Sequence, residues 1–520
     1  MRYRAITLIS AALLAGCGNA PGGARGNPYY TGTQGLIERQ SAAAATPVEN
    51  AVLPKAGKPK ASPDDLFKMA MMEPLSTFSA DVDTASYSNL RRALKDGVRP
   101  DPAAVRVEEM LNYFSYNLPE PKDGQAFSLT TELSDCPWNK QAKLLRLAIK
   151  TPSISQKDRP PCNLVFLVDV SGSMEEERKL PLLKESLRTL VANLKAEDRI
   201  AIVTYAGDSG VALPSTPVRE RGKILEAIDK MSAGGSTNGA SGLELAYQVI
   251  AESGTEETIN RVILATDGDF NVGPSSQKEL TSLIEEKRKS GIALSVLGFG
   301  GYASNDGTME TLADHGNGNY ASIDSLDEAN KVLVKEAGST LVTVAKDVKF
   351  QIAFNPLKVE KYRQIGYRNR QLAAQDFDND KKDAGDLGAG HSVTVVYELI
   401  PPKGEVALLK DVFSKEMGTA PKPDQLALVK MRYKAPKDDE SVLVEVPILP
   451  QSQALAKSTP DHRWAVAVTG FGLTLEGDAS AKEISLEAVA SLAEGAMGRN
   501  SDPSRGEFLD LVRRASELTS

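Results

Sequence analysis

The middle of the chain alternates apolar runs with amphipathic stretches. The apolar runs are residues 164–169, 199–205, 261–266, 292–299 and 319–323. The first four are apolar at nearly every position, which is typical of parallel strands buried on both faces. The remaining stretches have apolar residues at helical spacing and cover residues 176–194, 219–231, 241–252, 277–290 and 326–342. This alternation predicts a Rossmann-like α/β domain over residues 161–345, with a doubly wound and mostly parallel sheet.

Strand patterns occur on both sides of this domain. Period-two alternation marks residues 128–133, 144–149, 348–354, 393–399, 426–433 and 442–446. We therefore predict that the α/β domain is inserted in a β-sandwich, whose first part is residues 121–160 and whose second part is residues 346–450. The alternative is that each flank forms a small sheet of its own. Helical patterns further out predict an N-terminal helical region, residues 73–120, and a C-terminal helical region, residues 451–520.

The amino terminus has the features of a targeting segment. Two arginines precede an apolar run, residues 5–15, that is too short to span a bilayer. The run leads into Leu14-Ala15-Gly16-Cys17, which resembles the lipobox of bacterial lipoproteins. The resemblance implies that residues 1–16 are a signal peptide and that acylated Cys17 anchors the protein to the membrane. Because Gly18 rather than Asp follows, it also implies the outer membrane if the host has one. An ordinary secretory signal that contains a Cys is the alternative.

Composition narrows the classes of function. The 520 residues predict about three domains, and a hydrophobic content of 41% is ordinary for a soluble protein. Residues 17–72 are rich in small and polar residues without periodicity, and predict a flexible tether. Lys and Arg total 61 against 69 Asp and Glu, giving a net charge of −8 with no long basic stripe. We therefore expect no nucleic-acid partner.

Oxygen-bearing side chains follow two of the predicted strands. Asp169 ends the first strand, Ser171 and Ser173 follow it, and Asp267 comes after the third strand. Thr237 opens a helical segment between them. The carboxyl ends of parallel strands meet at one edge of a sheet, so these five side chains would converge on one divalent cation. Hydroxyls and carboxylates suit Mg²⁺, Mn²⁺ or Ca²⁺, and the lack of nearby His or Cys argues against zinc or copper. The alternative is that the three hydroxyls cap helix N-termini.

This D-x-S-x-S motif, with a later Thr and a later Asp, resembles the metal-ion-dependent adhesion site (MIDAS) of the von Willebrand factor type A (VWA) family. The match is complete in residue type and order. The resemblance implies a cation with one open coordination position, which an Asp or Glu carboxylate of a protein partner fills. Mostly neutral hydroxyl ligands would leave the cation under-neutralised and attractive to such an anion.

Sequences outside the α/β domain resemble those of bacterial cell-envelope VWA lipoproteins, which have characteristic regions before and after the VWA domain. The matching sequences are Pro74-Leu75-Ser76-Thr77-Phe78, Asp81-Val82-Asp83-Thr84-Ala85-Ser86-Tyr87, Val105-Arg106-Val107-Glu108-Glu109-Met110-Leu111-Asn112-Tyr113-Phe114, Gly388-Ala389-Gly390-His391 and Glu507-Phe508-Leu509-Asp510-Leu511-Val512. The resemblance covers most of residues 73–520. It implies architecture more than activity.

Two cysteines remain after the lipobox. Cys136 and Cys162 flank the entry to the α/β domain. In an oxidising envelope compartment, a disulfide between them would contribute roughly 3 kcal/mol in the chain-entropy model. Two buried free thiols are the alternative.

Catalysis has little support in the sequence. The three histidines lie far apart, none beside a credible nucleophile, and no P-loop or dinucleotide fingerprint is present. We therefore predict a non-enzymatic, lipid-anchored protein of the bacterial envelope that binds a protein partner through a MIDAS cation. A structural envelope component with a fold-stabilising metal is one alternative. A metal-assisted hydrolase with Asp267 or Asp269 as the base is the other.

Overall fold

The N-terminal flank of the α/β domain contributes both helices and strands. The computed structural model describes residues 67–80, 83–122, 124–236, 239–268, 277–300, 306–336, 341–382, 384–404, 421–498 and 502–519. The signal peptide and Cys17 lie outside these residues. The first elements are β1 (Lys68–Met69), β2 (Leu75–Ser79), α1 (Ala85–Lys95), α2 (Val107–Tyr113), β3 (Ser128–Asp135) and β4 (Lys143–Lys150). Strand β1 falls within the stretch predicted to be tether and pairs with residues 361–362, a long-range pairing that leaves no local pattern.

A six-stranded sheet forms the centre of the α/β domain. Its strands are β5 (Cys162–Asp169), β6 (Arg199–Tyr205), β7 (Ser209–Pro217), β8 (Ile259–Thr266), β9 (Ile292–Phe299) and β10 (Tyr320–Ile323), in the order β10-β9-β8-β5-β6-β7. Neighbouring strands are parallel, except that β7 runs antiparallel to β6. The helices are α3 (Leu180–Asn193), α4 (Arg221–Lys230), α5 (Gly239–Ser253), α6 (Gln277–Lys289), α7 (Asp306–His315) and α8 (Leu326–Asn330).

Helices cover both faces of this sheet. On β5, Leu164, Phe166 and Val168 pack into one apolar cluster with α3, α4 and α8. Val165 and Leu167 pack into a second cluster with α5, α6 and α7. This two-sided burial explains the continuous apolar run and confirms the predicted doubly wound fold. The edge strand β7 was not predicted, because its half-exposed sequence contains two prolines and lacks regular alternation.

The two flanks combine into one β-sandwich. The later strands are β11 (Thr343–Phe354), β12 (Lys361–Ile365), β13 (Leu387–Gly388), β14 (Ser392–Ile400), β15 (Ala427–Lys434), β16 (Ser441–Ile448) and β17 (Ser452–Gln453). One sheet has the order β1-β12-β14-β4-β3-β17, and the other has the order β13-β11-β15-β16 with β2 paired to β11. The sheets share an apolar core that includes Phe78, Leu147, Phe350 and Tyr397. Each sheet mixes strands from before and after the α/β domain, which confirms the predicted insertion.

The C-terminal region is helical, as predicted. Its helices are α9 (Pro460–Glu476), α10 (Leu486–Glu494) and α11 (Pro503–Thr519). They pack with α1 and α2 in one apolar cluster, in which Phe114, Trp464 and Phe508 contact one another through their rings. The Thr459 hydroxyl accepts a hydrogen bond from the His462 amide at 3.2 Å and so caps α9. Among the described residues, no helix has both the length and the hydropathy needed to cross a membrane.

A buried arginine joins three parts of the molecule. Arg91 on α1 donates hydrogen bonds to Asp324 and Glu328 of the α/β domain, each at 2.8 Å. It also donates to Glu507 on α11 at 3.3 Å and to the Tyr113 hydroxyl at 2.6 Å. The Arg91 side chain is 4% exposed, and that of Glu328 is fully buried. These ion pairs of Arg91, two of them with buried carboxylates, hold α1, α11 and the α/β domain together.

The structure contradicts the predicted disulfide. Cys136 and Cys162 are both buried and free. Cys136 belongs to the apolar cluster of the helices, whereas Cys162 belongs to one of the two clusters of the α/β domain. Each thiol is enclosed by its own core, and burial raises the pKa of both. The two cysteines flank the domain boundary in the sequence, but their side chains lie in different cores.

A buried histidine makes the stability of the fold sensitive to acid. His462 on α9 is fully buried, and its Nε2 lies 2.8 Å from the Ser134 hydroxyl. Burial lowers the pKa of His462 from 6.5 to about 4, with Arg146 and Arg463 adding to the effect and Glu132 opposing it. The unfolded chain therefore takes up a proton at a higher pH than the folded chain, and stability is lost as the pH falls from the ordinary His value toward the folded value.

Replacing His462 with Gln is expected to flatten this acid dependence. The wild-type protein should lose up to about 1.4 kcal/mol per pH unit from this group across the window, and H462Q should not. Urea unfolding at pH 7 and pH 5 measures the difference. The matched control is H315Q, because the His315 side chain is 37% exposed. Equal slopes for H462Q and the wild type would contradict the assignment.

Candidate metal centre

Asp169, the last residue of β5, is held by three hydrogen-bond donors. Its Oδ1 accepts a hydrogen bond from the Ser171 amide at 2.8 Å. Its Oδ2 accepts from the hydroxyls of Tyr205 at 3.2 Å and Thr266 at 3.3 Å. These two hydroxyls come from the neighbouring strands β6 and β8, so the sheet itself orients the carboxylate. Neither residue was predicted, because nothing local marks a hydroxyl inside a strand as a partner of Asp169.

The two serines of the motif lie side by side. The hydroxyl oxygens of Ser171 and Ser173 are 3.0 Å apart, with Ser171 buried and Ser173 exposed. Ser171 precedes a short 3-10 turn, but its side chain makes no capping hydrogen bond. The helix-capping alternative is therefore wrong for Ser171. Both hydroxyls remain available as oxygen ligands at the edge of the sheet.

A second loop lies against the motif. The Gly172 amide donates to the Gly235 carbonyl at 3.2 Å, and the Gly234 amide donates to the Val170 carbonyl at 2.7 Å. Gly235 has a φ of +88°, and a Cβ there would lie 3.3 Å from the Cβ of Ala206. Glycine therefore allows the positive φ and the close approach of this loop to Ala206, directly after β6. Thr237 follows in the sequence but lies outside the described residues.

Asp267 directly follows β8, and a lysine occupies the space beside it. The Asp267 carboxylate is 4% exposed and lies 3.2 Å from Lys179 Nζ. The same ammonium donates to the Ser173 carbonyl at 2.8 Å and pairs with Glu176 at 3.0 Å. The Lys179 ammonium therefore contacts both Asp267 and the loop that follows β5. Lys179 was not predicted as a site residue, because it stands at the start of α3 among ordinary charged residues.

Two buried carboxylates interact in the candidate site. Burial raises the pKa of Asp169, and the negative charge of Asp267 adds to the effect, while hydrogen bonds from Ser171 and Tyr205 oppose it. Burial and the Asp169 charge likewise raise the pKa of the Tyr205 hydroxyl well above its usual value. Two carboxylates and two hydroxyls without a nitrogen or sulfur donor fit a hard divalent ion. The described residues therefore fit the predicted cation.

Three parts of the chain match known protein families. Residues 163–335 match the von Willebrand factor type A domain, and residues 58–146 match a family described as "von Willebrand factor". A VWA domain indicates a role in protein binding or adhesion. Residues 339–518 match the family "Uncharacterized protein YfbK, C-terminal". The Escherichia coli (strain K12) protein "Uncharacterized protein YfbK" is 44% identical over 466 residues, which cover 88% of this chain and 80% of that protein. The chain belongs to this YfbK family of VWA-domain proteins.

More distant similarity extends to animal and archaeal proteins. Inter-alpha-trypsin inhibitor heavy chain H3 of Bos taurus is 26% identical over 267 residues, which cover 48% of this chain and only 29% of that protein. A von Willebrand factor type A structure from Catenulispora acidiphila covers 77% of this chain and 91% of its own, with 16% identity and a TM-score of 0.41. The ArnB paralog VWA2 from Sulfolobus acidocaldarius covers 76% of this chain and 98% of its own, with 13% identity and a TM-score of 0.35.

Proposed function

We propose that this protein binds a partner protein through a divalent cation, held by Asp169, Ser171, Ser173, Thr237 and Asp267, while Cys17 anchors it by acyl chains to the bacterial envelope. The partner contributes an Asp or Glu carboxylate, and the cation is Mg²⁺, Mn²⁺ or Ca²⁺. The outer membrane is the proposed location if the host has one. The protein is not an enzyme.

The arrangement around Asp169 is the observation that supports this proposal. A buried carboxylate is oriented by two strands and an amide, and two adjacent hydroxyls stand beside it. A shared contact supports including Asp267, since the Lys179 ammonium contacts both Asp267 and the carbonyl of Ser173. When bound, the cation would supply a positively charged coordination position for a carboxylate oxygen. Asp169 and Asp267 would hold it, and the exposed Ser173 would mark the solvent side.

The two alternatives differ in what the cation does. In a structural role it would stabilise the fold without contacting a partner. In a hydrolase, Asp267 or Asp269 would act as a base. Asp269 lies outside the described residues, and Asp267 is held by the Lys179 ammonium, which disfavours Asp267 as a free base. We therefore retain partner binding as the conclusion.

Capture of the partner under two metal conditions tests the proposal. The full-length protein in detergent is used as bait with Mg²⁺, with a chelator, and as an Asp169→Asn variant with Mg²⁺. Capture of the same acidic-surfaced protein only by the wild type with Mg²⁺ supports partner binding. Identical captured proteins in all three samples, together with a melting temperature raised by Mg²⁺, would support the structural alternative instead. Metal-dependent turnover would favour the hydrolase.

Lys179 is expected to weaken cation binding. Its ammonium already neutralises Asp267 and would repel a divalent ion at the same place, although its partial exposure screens the effect. Lys179→Met should therefore raise the affinity for Mg²⁺ by about tenfold, measured by calorimetric titration. Lys223→Met is the control, because the Lys223 side chain is 71% exposed and lies in another ion pair. Weaker binding by K179M would mean that Lys179 positions the ligands rather than competing with the ion.

A further inference from the structure

One buried arginine of the sandwich is without a matching acceptor. Arg146 lies on β4, on the sheet face that packs toward the C-terminal helices, and its side chain is 3% exposed. Its Nε and Nη1 atoms are buried and have no hydrogen-bond partner among the residues that the structure describes. The nearest carboxylate oxygen, Glu132 Oε2, lies 3.8 Å from Nη2, which is too long for a hydrogen bond. Burial accordingly lowers the pKa of Arg146.

The residues around Arg146 are already engaged elsewhere. The Glu132 carboxylate accepts hydrogen bonds from the Thr459 amide at 2.7 Å and the Thr459 hydroxyl at 2.6 Å. Asp461 accepts from Arg505 at 3.0 Å and from the Asn117 amide at 2.7 Å. The Tyr116 ring lies 5.6 Å from the Arg146 guanidinium carbon. Arg146 therefore has an aromatic contact with Tyr116, but neither Glu132 nor Asp461 accepts a hydrogen bond from it.

A second buried arginine on the same sheet shows how such a charge is normally matched. Arg363 on β12 is 5% exposed, as deeply buried as Arg146. Its Nε donates to Glu398 at 2.8 Å, and its Nη1 donates to Asp478 at 3.1 Å. Arg363 is therefore buried together with two carboxylates that accept its hydrogen bonds. Arg146 departs from that pattern.

Arg146 lines a large cleft between the parts of the molecule. The cleft has a volume of about 1880 Å³ and is bordered by the sandwich, the segment after α2, the α/β domain and α11. Thr130 and Asn117 line it together with Arg146 and Tyr116. An unused guanidinium presents five N–H donors in a planar array, which matches the oxygens of a carboxylate or phosphate. The cleft is large enough to admit a small organic molecule that carries such a group.

We propose that the Arg146 end of this cleft binds a small organic anion, whose carboxylate or phosphate group pairs with the Arg146 guanidinium over the Tyr116 ring. This site is separate from the cation site at Asp169. It requires neither a metal nor the partner protein.

Titration with two anions tests the site. Full-length protein, in buffer freed of metal by a chelating resin, is titrated with succinate and with orthophosphate at constant pH and ionic strength, against chloride. Thermal unfolding and calorimetry report binding. We expect saturable stabilisation of the wild type by at least one anion. The anion that stabilises the protein more shows whether the site prefers a carboxylate or a phosphate group. In Arg146→Met the affinity should fall by about tenfold or more.

R146M removes the proposed anion-binding charge, and a second variant removes a buried arginine elsewhere in the molecule. R146M keeps an apolar stem of similar length and removes a charge that lacks a partner, so the fold should be retained. The matched control is Arg261→Met. Arg261 is also buried, with a single hydrogen bond to the Ser295 hydroxyl at 2.7 Å, but it does not line this cleft. The proposal is overturned if the wild type shows no saturable effect, if R146M keeps it, or if only R261M loses it.

Discussion

Replacing Asp169 with Asn is expected to weaken Mg²⁺ binding by more than about 100-fold, since loss of a direct ligand should exceed the effect of removing a supporting residue. The amide keeps an acceptor for the Ser171 amide, so the loop after β5 should retain its shape. What is lost is the negative charge, which neutral hydroxyls cannot replace. Calorimetric titration with Mg²⁺, and with Mn²⁺ as a second probe, measures the change.

Stability measurements separate this effect from misfolding. Without metal, D169N should be at least as stable as the wild type, because the substitution removes a buried carboxylate that lacks a cation. With saturating Mg²⁺, the wild type should gain stability and D169N should not. Asp438→Ala is the control, because Asp438 lies in an exposed turn. Wild-type affinity in D169N would remove Asp169 from the site.

Replacing Arg91 with Met is expected to cost about 3–5 kcal/mol of stability, because it leaves buried carboxylates without their cation. Asp324 and Glu328 are 7% and 0% exposed, so water cannot compensate for the loss. Arg91 also contacts Glu507, so the packing of α11 against α1 should weaken at the same time. Urea unfolding of the full chain measures the change.

A double substitution tests whether the carboxylates are the cause. Adding Glu328→Gln to R91M should recover part of the lost stability, because it removes one of the uncompensated charges. Arg513→Met is the matched control: Arg513 and its partner Glu494 are 57% and 54% exposed, and the expected change is within about 0.5 kcal/mol. A loss below about 1 kcal/mol in R91M would show that the network contributes little.

The α/β domain could be predicted because its signals are local. On β5, consecutive residues face opposite apolar clusters, so burial on both faces is recorded as a continuous apolar run. Asp169 and Asp267 could be placed at one sheet edge for a similar reason, since Asp169 ends one parallel strand and Asp267 directly follows another. The side chains that orient them were not predictable. Tyr205 and Thr266 lie within strands, and only strand order makes them neighbours of Asp169.

The predicted disulfide between Cys136 and Cys162 is wrong because the two thiols lie in different cores. Cys136 and Cys162 are near each other along the chain and flank a domain boundary, which suggested a bridge. In the structure the boundary separates two apolar cores, and each thiol belongs to a different one. Distance along the chain is a poor guide where the chain passes from one core to the next.

Residue pattern alone predicts the alternation of strands and helices, the insertion of the α/β domain between two β-rich flanks, and the order of the candidate oxygen ligands along the chain. These features depend on the period of apolar residues and on residue type, which are properties of short segments. Three features follow only from the folded arrangement: Lys179 faces Asp267, Arg91 joins three distant segments, and Arg146 is buried without an acceptor among the described residues. Long charged side chains can pair with residues that are distant in sequence. The local spacing of apolar residues therefore gives no information about their partners.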